Sequence, residues 1–187
     1  MSIKVDHILD AKDLACPMPI VKTKKAFENL KPGEVIEVQA TDKGSTSDLQ
    51  AWAKSAGHDY LGTDEKDSLL KHYLRKVSKS EKQDESKHKQ VLALTELQKK
   101  VENQEELFIL DVRESAEFAF GHIPGAKNMP LGHMQFDKLN KNKPIYVICR
   151  SGNRSDLAAR KLSDEGFEQV INIVPGMNQW QGTIEKN

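Results

Sequence analysis

The sequence predicts an α/β fold in two parts, a two-layer β-α-β-α-β-β sandwich over residues 1–77 and a parallel-sheet α/β domain over residues 91–187. The chain of 187 residues is longer than the usual single domain of about 100 to 150 residues. Residues 78–90 read SKSEKQDESKHKQ and include no apolar residue, so they cannot bury enough apolar surface to order themselves. We therefore expect two domains joined by a polar linker at residues 78–90.

Apolar residues in the first part recur with the periods of four strands and two helices. Pro32-Gly33 ends the first predicted helix, and Gly57 ends the second. The resulting order of elements predicts two helices packed on one face of a four-stranded sheet. The predicted strands cover residues 7–10, 35–40, 60–61 and 69–75, and the predicted helices cover residues 20–30 and 48–56.

Strands and helices alternate in the second part, which predicts a parallel sheet covered by helices. Thr95 is the predicted N-cap of the first helix, which carries Leu97 and Val101 on its apolar side. The remaining predicted elements are strands at residues 107–110, 145–148 and 170–174 and a helix over residues 155–166.

The composition limits the classes of function. Twenty-eight basic residues balance twenty-eight acidic residues, so the chain lacks the positive field of a nucleic-acid-binding protein. No apolar run approaches the roughly 20 residues of a membrane helix, and no secretory signal is evident, so we expect no membrane association and a cytoplasmic location. The two cysteines and six scattered histidines lack metal-ligand spacing, so we expect neither a metal site nor a cofactor.

Cys149 directly follows the predicted strand at residues 145–148, and a predicted helix begins shortly after it. In a parallel sheet this carboxyl edge is where ligands bind. Backbone N–H groups of the loop and the helix N-terminus can form an anion-binding nest that favours the thiolate. Two guanidinium groups could receive an anionic sulfur donor such as thiosulfate. The loop residues expected to bind the substrate or the persulfide are Arg150, Ser151, Gly152, Asn153, Arg154 and Ser155.

The loop at residues 149–155, CRSGNRS, and several other motifs resemble a single-domain rhodanese over residues 91–182. By this resemblance, Cys149 is the nucleophile that carries sulfur, and the loop cradles its persulfide. Pro175 departs from the family pattern, which often has a second glycine at that position. The other motifs are Asp111-Val112-Arg113, Gly121-His122-Ile123-Pro124-Gly125-Ala126, Gly176 and Trp180.

A phosphatase is the alternative enzyme class, because phosphatases place a cysteine and an arginine in a similar loop. Here only four residues separate Cys149 from Arg154, and this shorter loop suits a sulfur atom better than a phosphate group.

We expect Asp111 and Arg113 to form a buried ion pair that positions the site, and His122 to be structural.

Cys16 lies directly before the first predicted helix, where Pro17 is favoured in the first turn. The helix N-terminus should favour the thiolate of Cys16. The surrounding motifs resemble the small TusA-like or SirA-like sulfur carriers over residues 7–77, although Asp13 replaces the usual glycine. By this resemblance, Cys16 carries a persulfide and passes it to a partner protein or another thiol. The motif residues are Leu9, Asp10, Leu14, Cys16-Pro17-x-Pro19, Thr41, Asp42, Gly44, Asp48, Trp52, Gly57 and His58.

These observations support three hypotheses of function. The first is a rhodanese-type sulfurtransferase that accepts sulfane sulfur on Cys149 from thiosulfate, glutathione persulfide or a similar donor. It relays the sulfur to or from Cys16 and a downstream thiol acceptor protein, and the direction of this relay is open. The second hypothesis is a sulfur-delivery and docking module for a partner protein. The third is a thiol redox sensor that forms a disulfide between Cys16 and Cys149.

Overall fold

The structure is a computed structural model that describes residues 3–78 and 88–186. The chain divides into two compact units, Met1–Lys79 and Ser80–Asn187. Of the predicted linker, residues 79–87 lie outside the described residues. Residues 88–90 hydrogen bond within the second unit: the backbone N–H of His88 donates to Asp156 at 2.8 Å, and that of Asn172 donates to the carbonyl of Gln90 at 2.9 Å. Residues 88–90 of the predicted linker therefore belong to the second unit.

The first unit is a four-stranded sheet with two helices. Its strand order is β1-β2-β4-β3, with β1 parallel to β2 and the other pairs antiparallel. This architecture confirms the predicted two-layer sandwich. The elements are β1 (His7–Ala11), α1 (Met18–Asn29), β2 (Val35–Ala40), α2 (Ser45–Ala56), β3 (Asp59–Lys66) and β4 (Leu69–Arg75).

The helices bury their apolar stripes against one face of this sheet. Ile36 and Val38 alternate along β2 and share a core cluster with Leu74 of β4, Phe27 of α1 and Leu49 of α2. Burial of each such side chain contributes about 1.5 to 3 kcal/mol. This packing fixes where α1 and α2 begin relative to the sheet.

Strand β3 is much longer than the two residues predicted for it. Its second half is polar, so the apolar pattern does not reveal it, but it pairs with β4 through a tight hairpin. Asp67 and Ser68 form the turn with φ of 50° and 67°, the left-handed values that two-residue hairpins require.

The second unit is a five-stranded, all-parallel sheet, as predicted, with strand order β5-β9-β8-β6-β7. Its elements are β5 (Val91–Ala93), α3 (Leu94–Glu102), β6 (Ile109–Asp111), α4 (Ser115–Phe120), β7 (Lys127–Asn128), β8 (Ile145–Ile148), α5 (Asn153–Asp164) and β9 (Val170–Val174).

Helices cover both faces of this sheet. Val147 of β8 belongs to a core cluster with Leu162 of α5, whereas its neighbour Ile148 belongs to a second cluster with Leu97 of α3. Successive residues of a strand point to opposite faces, which explains why β8 is apolar throughout. The central position of β8 carries its carboxyl end, and the cysteine that follows, to the middle of the sheet edge.

The predicted N-cap of α3 is wrong. The helix begins at Leu94 with Ala93 as its N-cap, so Thr95 lies inside the first turn. The sequence pattern also missed β5, β7 and α4, which have three, two and six residues. Elements this short carry too few residues for a periodic signal and depend on tertiary contacts.

No helix within residues 3–78 and 88–186 is long and apolar enough to cross a membrane.

Candidate functional site

Cys149 directly follows β8 and is fully buried. The backbone N–H of Gly152 donates a hydrogen bond to its Sγ at 3.2 Å. Gly152 is the N-cap of α5 and has a φ of +97°, so the chain turns back over the sulfur immediately before the helix begins. The positive end of the α5 dipole and this N–H together stabilise negative charge on sulfur.

A second glycine holds the loop from the opposite side. Gly176 has a φ of +113°, and a Cβ at this position would lie 2.6 Å from the carbonyl oxygen of Cys149. The next two residues clamp the loop, because the N–H of Met177 donates to the Cys149 carbonyl at 2.8 Å and that of Asn178 to the Arg150 carbonyl at 3.0 Å. Only glycine permits this close approach of two backbones.

Arg154 is engaged differently from the prediction. Its two terminal nitrogens donate to the carboxylate of Glu117 on α4, at 2.6 and 2.8 Å, and both side chains are buried. This bidentate pair ties the base of the loop to α4. Arg150, which follows Cys149 directly, is the half-buried arginine of the loop.

The remaining loop residues shape the turn. Ser155 is fully buried, and its hydroxyl donates to the carbonyl of Gly152 at 2.9 Å within the first turn of α5. Asn153 is half-buried and begins α5, whereas Ser151 is exposed. Of the predicted loop residues, Gly152 is the one that the structure shows in direct contact with the sulfur.

Glu117 was not predicted from the sequence. It lies on the six-residue helix α4, whose capping box joins Glu114 and Glu117. A helix this short gives no periodic signal, and the partner Arg154 is 37 residues away in sequence. The signal in the sequence that could have indicated the role of Glu117 is its spacing from Glu114, which matches a capping box at the beginning of a helix.

Asp111 and Arg113 form the predicted buried ion pair, with 2.6 Å between the closest oxygen and nitrogen. Arg113 also donates to the carbonyl of Gly121 at 2.8 Å. His122 is buried, stacks on Phe118 with ring centroids 3.6 Å apart, and hydrogen bonds to the Phe118 carbonyl at 2.9 Å. These contacts are structural, and they brace α4 and the turn after it.

Cys16 lies in the first unit and is exposed. It precedes Pro17, the N-cap of α1. The predicted preference for the thiolate is opposed by its surroundings, because a hydrogen bond to the Asp48 carboxylate, partial desolvation and the charge of Asp42 raise the pKa of the Cys16 thiol.

Asp13 adopts a φ of 59°, which accounts for the usual glycine there, and its N–H donates to the Thr41 hydroxyl at 2.9 Å.

A buried polar network lies beneath the first turn of α2. The Ser45 hydroxyl donates to the Asp42 carbonyl at 2.5 Å, so Nε2 of His72, 2.9 Å away, is the donor to Ser45. Nδ1 of the same ring then accepts from the hydroxyl of Tyr60 at 2.8 Å. His72 is neutral in this network, and burial lowers its pKa from 6.5 to about 4.

This histidine makes the stability of the first unit depend on pH. His72 takes up a proton near pH 6.5 in the unfolded chain but only near pH 4 in the folded chain. Protonation between these two pH values therefore favours the unfolded chain, and the free energy of unfolding should fall as the pH is lowered from 6.5 to 4. The loss should approach about 3 kcal/mol at pH 4. Urea unfolding followed by Trp52 fluorescence, in a Trp180→Phe background, measures it. A His72→Gln chain with the same pH slope as the native chain would contradict this assignment.

No group of three or more His, Cys, Asp or Glu side chains among the described residues is arranged to hold a metal ion.

Comparison with known proteins matches each unit to a family. The family described as sulfurtransferase TusA matches residues 7–76, and the one described as rhodanese-like domain matches residues 93–183. These are the two families that the motifs resemble.

Individual relatives agree with this division. YrkF of Bacillus subtilis (strain 168), which bears the name of a sulfur carrier protein, is 51% identical over 185 residues, covering 98% of this chain and 100% of YrkF. YtwF of the same organism, named as a sulfurtransferase, is 40% identical over 94 residues, covering 49% of this chain and 90% of YtwF. The solution structure of the rhodanese-like domain of Alr3790 from Anabaena sp. shares 28% identity with a TM-score of 0.50, covering 54% of this chain and 81% of that one.

Proposed function

Because the chain belongs to the sulfur carrier proteins and sulfurtransferases that join a TusA domain to a rhodanese-like domain, we propose that it relays single sulfur atoms between two thiols. Cys149 accepts a sulfane sulfur from thiosulfate or from a small persulfide such as glutathione persulfide. The sulfur then passes to or from Cys16, and a thiol of another protein is the final partner. The observation that carries this proposal is the hydrogen bond from the Gly152 N–H to the buried sulfur of Cys149.

The first half-reaction forms the Cys149 persulfide. The thiolate attacks the sulfane sulfur of thiosulfate, the S–S bond of the donor breaks, and sulfite leaves with the electron pair. The Gly152 N–H and the N-terminus of α5 stabilise the anionic sulfur before and after transfer. Arg150, which follows Cys149 directly and is half-buried, is the candidate to receive the donor's negative charge at the loop.

The second half-reaction moves the outer sulfur to another thiol. An attacking thiolate forms a bond to the outer sulfur, and Cys149 leaves as the thiolate. The placement of two thiols on one chain supports Cys16 as this partner, because a tether gives an effective concentration of roughly millimolar. Exposure of Cys16 suits exchange with a second protein, whereas burial of Cys149 suits a small donor. Free thiols favour a reducing compartment such as the cytoplasm.

A time course with labelled sulfur tests this proposal. The native chain is mixed with thiosulfate carrying a heavy isotope in its sulfane position, and the peptides containing Cys149 and Cys16 are weighed at intervals. We expect the label on Cys149 first and on Cys16 second. Label only on Cys149 until an acceptor protein is added would favour the delivery module. A disulfide between the two cysteines without any labelled persulfide would overturn the proposal in favour of a redox sensor.

A further inference from the structure

Residues 176–185, which we call the strap, run from the Cys149 loop to the turn after α4. The first residues of the strap donate the two backbone hydrogen bonds that clamp the loop, at 2.8 and 3.0 Å. At the far end, Glu185 and His122 form an antiparallel bridge, in which each backbone N–H donates to the carbonyl of the other residue at 2.9 Å. The strap therefore contacts the surroundings of Cys149 at two separate points.

The strap is folded between these two points. It begins with the short turn Met177–Gln179, and the indole N–H of Trp180 then donates to the Thr183 carbonyl at 3.0 Å. A Cβ at Gly182 would lie 2.6 Å from the Trp180 ring, so the chain passes directly against this side chain. Trp180 in turn packs against a core cluster of the second unit. Packed groups thus connect the two ends of the strap.

The far end of the strap holds the end of α4. Nδ1 of His122 donates to the Phe118 carbonyl at 2.9 Å, and the two rings stack with centroids 3.6 Å apart. Ile184 lies against the same turn, because a Cβ added at Gly121 would be 3.1 Å from its Cδ1. Helix α4 has six residues, too few to be stable alone, so its position depends on contacts of this kind.

Helix α4 carries the next link to the sulfur. Its Glu117 carboxylate accepts hydrogen bonds from the guanidinium of Arg154 at 2.6 and 2.8 Å. Arg154 lies in the first turn of α5, directly after Gly152, the N-cap whose N–H donates to the Cys149 sulfur at 3.2 Å. A continuous series of contacts therefore leads from the far end of the strap, through His122, α4 and the buried ion pair, to this N–H group.

From this series of contacts we infer that Ile184, Glu185 and His122 position the Gly152 N–H for the transfer of sulfur to Cys149. This inference rests on the proposed function, since it concerns the rate at which the Cys149 persulfide forms. The three residues act through α4 and are positioning residues. A donor N–H stabilises a reacting anion only in the correct geometry, and a displacement of about 1 Å can reduce a rate by about a hundredfold.

A Glu185→Pro chain tests this inference, because proline lacks the N–H that donates to His122. We expect the rate of sulfite release at saturating thiosulfate to fall by about tenfold. The thiosulfate concentration that gives half of this rate should change little, because the Gly152 N–H acts on the sulfur of Cys149 and not on the donor. Both quantities are measured at a temperature where urea unfolding shows the variant to be folded.

Matched variants separate the bridge from the other groups at this point. Glu185→Ala retains both backbone hydrogen bonds and removes a carboxylate that is 59% exposed and 3.8 Å from Nε2 of His122, so it should react at the native rate. His122→Phe retains the stacked ring without the Nδ1 donor and should slow the reaction. His122→Asn restores a donor close to Nδ1 and should recover part of the rate.

The route through α4 is tested by a double-mutant cycle. If the strap acts through the buried ion pair, Glu185→Pro should slow a Glu117→Gln chain by a smaller factor than it slows the native chain. An equal factor in both chains would overturn the inference, because the bridge would then act independently of α4. A loss of stability in Glu185→Pro with native rates in the folded protein would overturn it as well.

Amide hydrogen exchange at Gly152, followed by NMR, gives a measurement that requires no sulfur transfer. Exchange should accelerate in Glu185→Pro and in a chain that ends at Gly182, which lacks the bridge without a new proline, and should remain native in Glu185→Ala. Equal protection of this N–H in all of these chains would contradict the inference. If the native chain forms no persulfide, the proposed function fails, whereas the exchange rates still decide whether the strap positions the loop.

Discussion

Replacement of Cys149 by serine is expected to reduce sulfite release from thiosulfate by more than about a thousandfold, with dithiothreitol as the thiol acceptor. A serine hydroxyl is hardly ionised at neutral pH and forms no persulfide, even though the Gly152 N–H remains beside it. The sulfur atom to which this N–H donates is that of Cys149. Sulfite is measured at increasing thiosulfate concentration with the native and variant chains.

The Cys16→Ser chain is the matched comparison, because it makes the same substitution at the other thiol. It should still release sulfite in the first half-reaction and lose only the label that otherwise reaches Cys16. Sulfite release at the native rate from the Cys149→Ser chain would assign the chemistry to Cys16 and reverse the order of the two half-reactions.

The second large effect is expected at the buried pair of Glu117 and Arg154. Replacing Glu117 by glutamine leaves the guanidinium buried without its counter-charge, which should lower the free energy of unfolding of the second unit by about 3 to 5 kcal/mol. The rate of sulfur transfer should fall together with the stability. The pair of Arg154 and Glu117 anchors the loop in which the Gly152 N–H donates to the Cys149 sulfur. Urea unfolding followed by Trp180 fluorescence, in a Trp52→Phe background, measures the stability.

A surface pair supplies the control. Glu106 and Lys143 form an ion pair with a distance of 3.0 Å, but both side chains are largely exposed, so Glu106→Gln should leave the unfolding midpoint unchanged. The double variant Glu117→Leu with Arg154→Met removes both charges and should recover most of the stability, but not the sulfur transfer. Full activity of this double variant would show that the ion pair serves stability alone.

The division into two α/β units and the position of Cys149 at the end of a strand were predicted from local patterns in the sequence. The apolar run Ile145–Ile148 is buried on both faces, so it reads as a central parallel strand, and the cysteine after it had to lie at the carboxyl edge. Similarly, Pro17 placed Cys16 at the beginning of a helix. These features depend on neighbours within a few residues, which a sequence displays directly.

Tertiary structure alone decided what surrounds each thiol. Arg154 is basic and follows Cys149 closely, yet its guanidinium pairs with a carboxylate from a six-residue helix. Cys16 directly precedes the N-cap of α1, yet the Asp48 carboxylate of the next helix raises the pKa of its thiol. The sequence by itself therefore determined the longer elements and the two candidate thiols, because hydrophobic periodicity and turn residues act locally. The partners of those thiols were decided by the fold, because electrostatic interactions and backbone clamps depend on distances of a few ångströms between residues far apart in the chain.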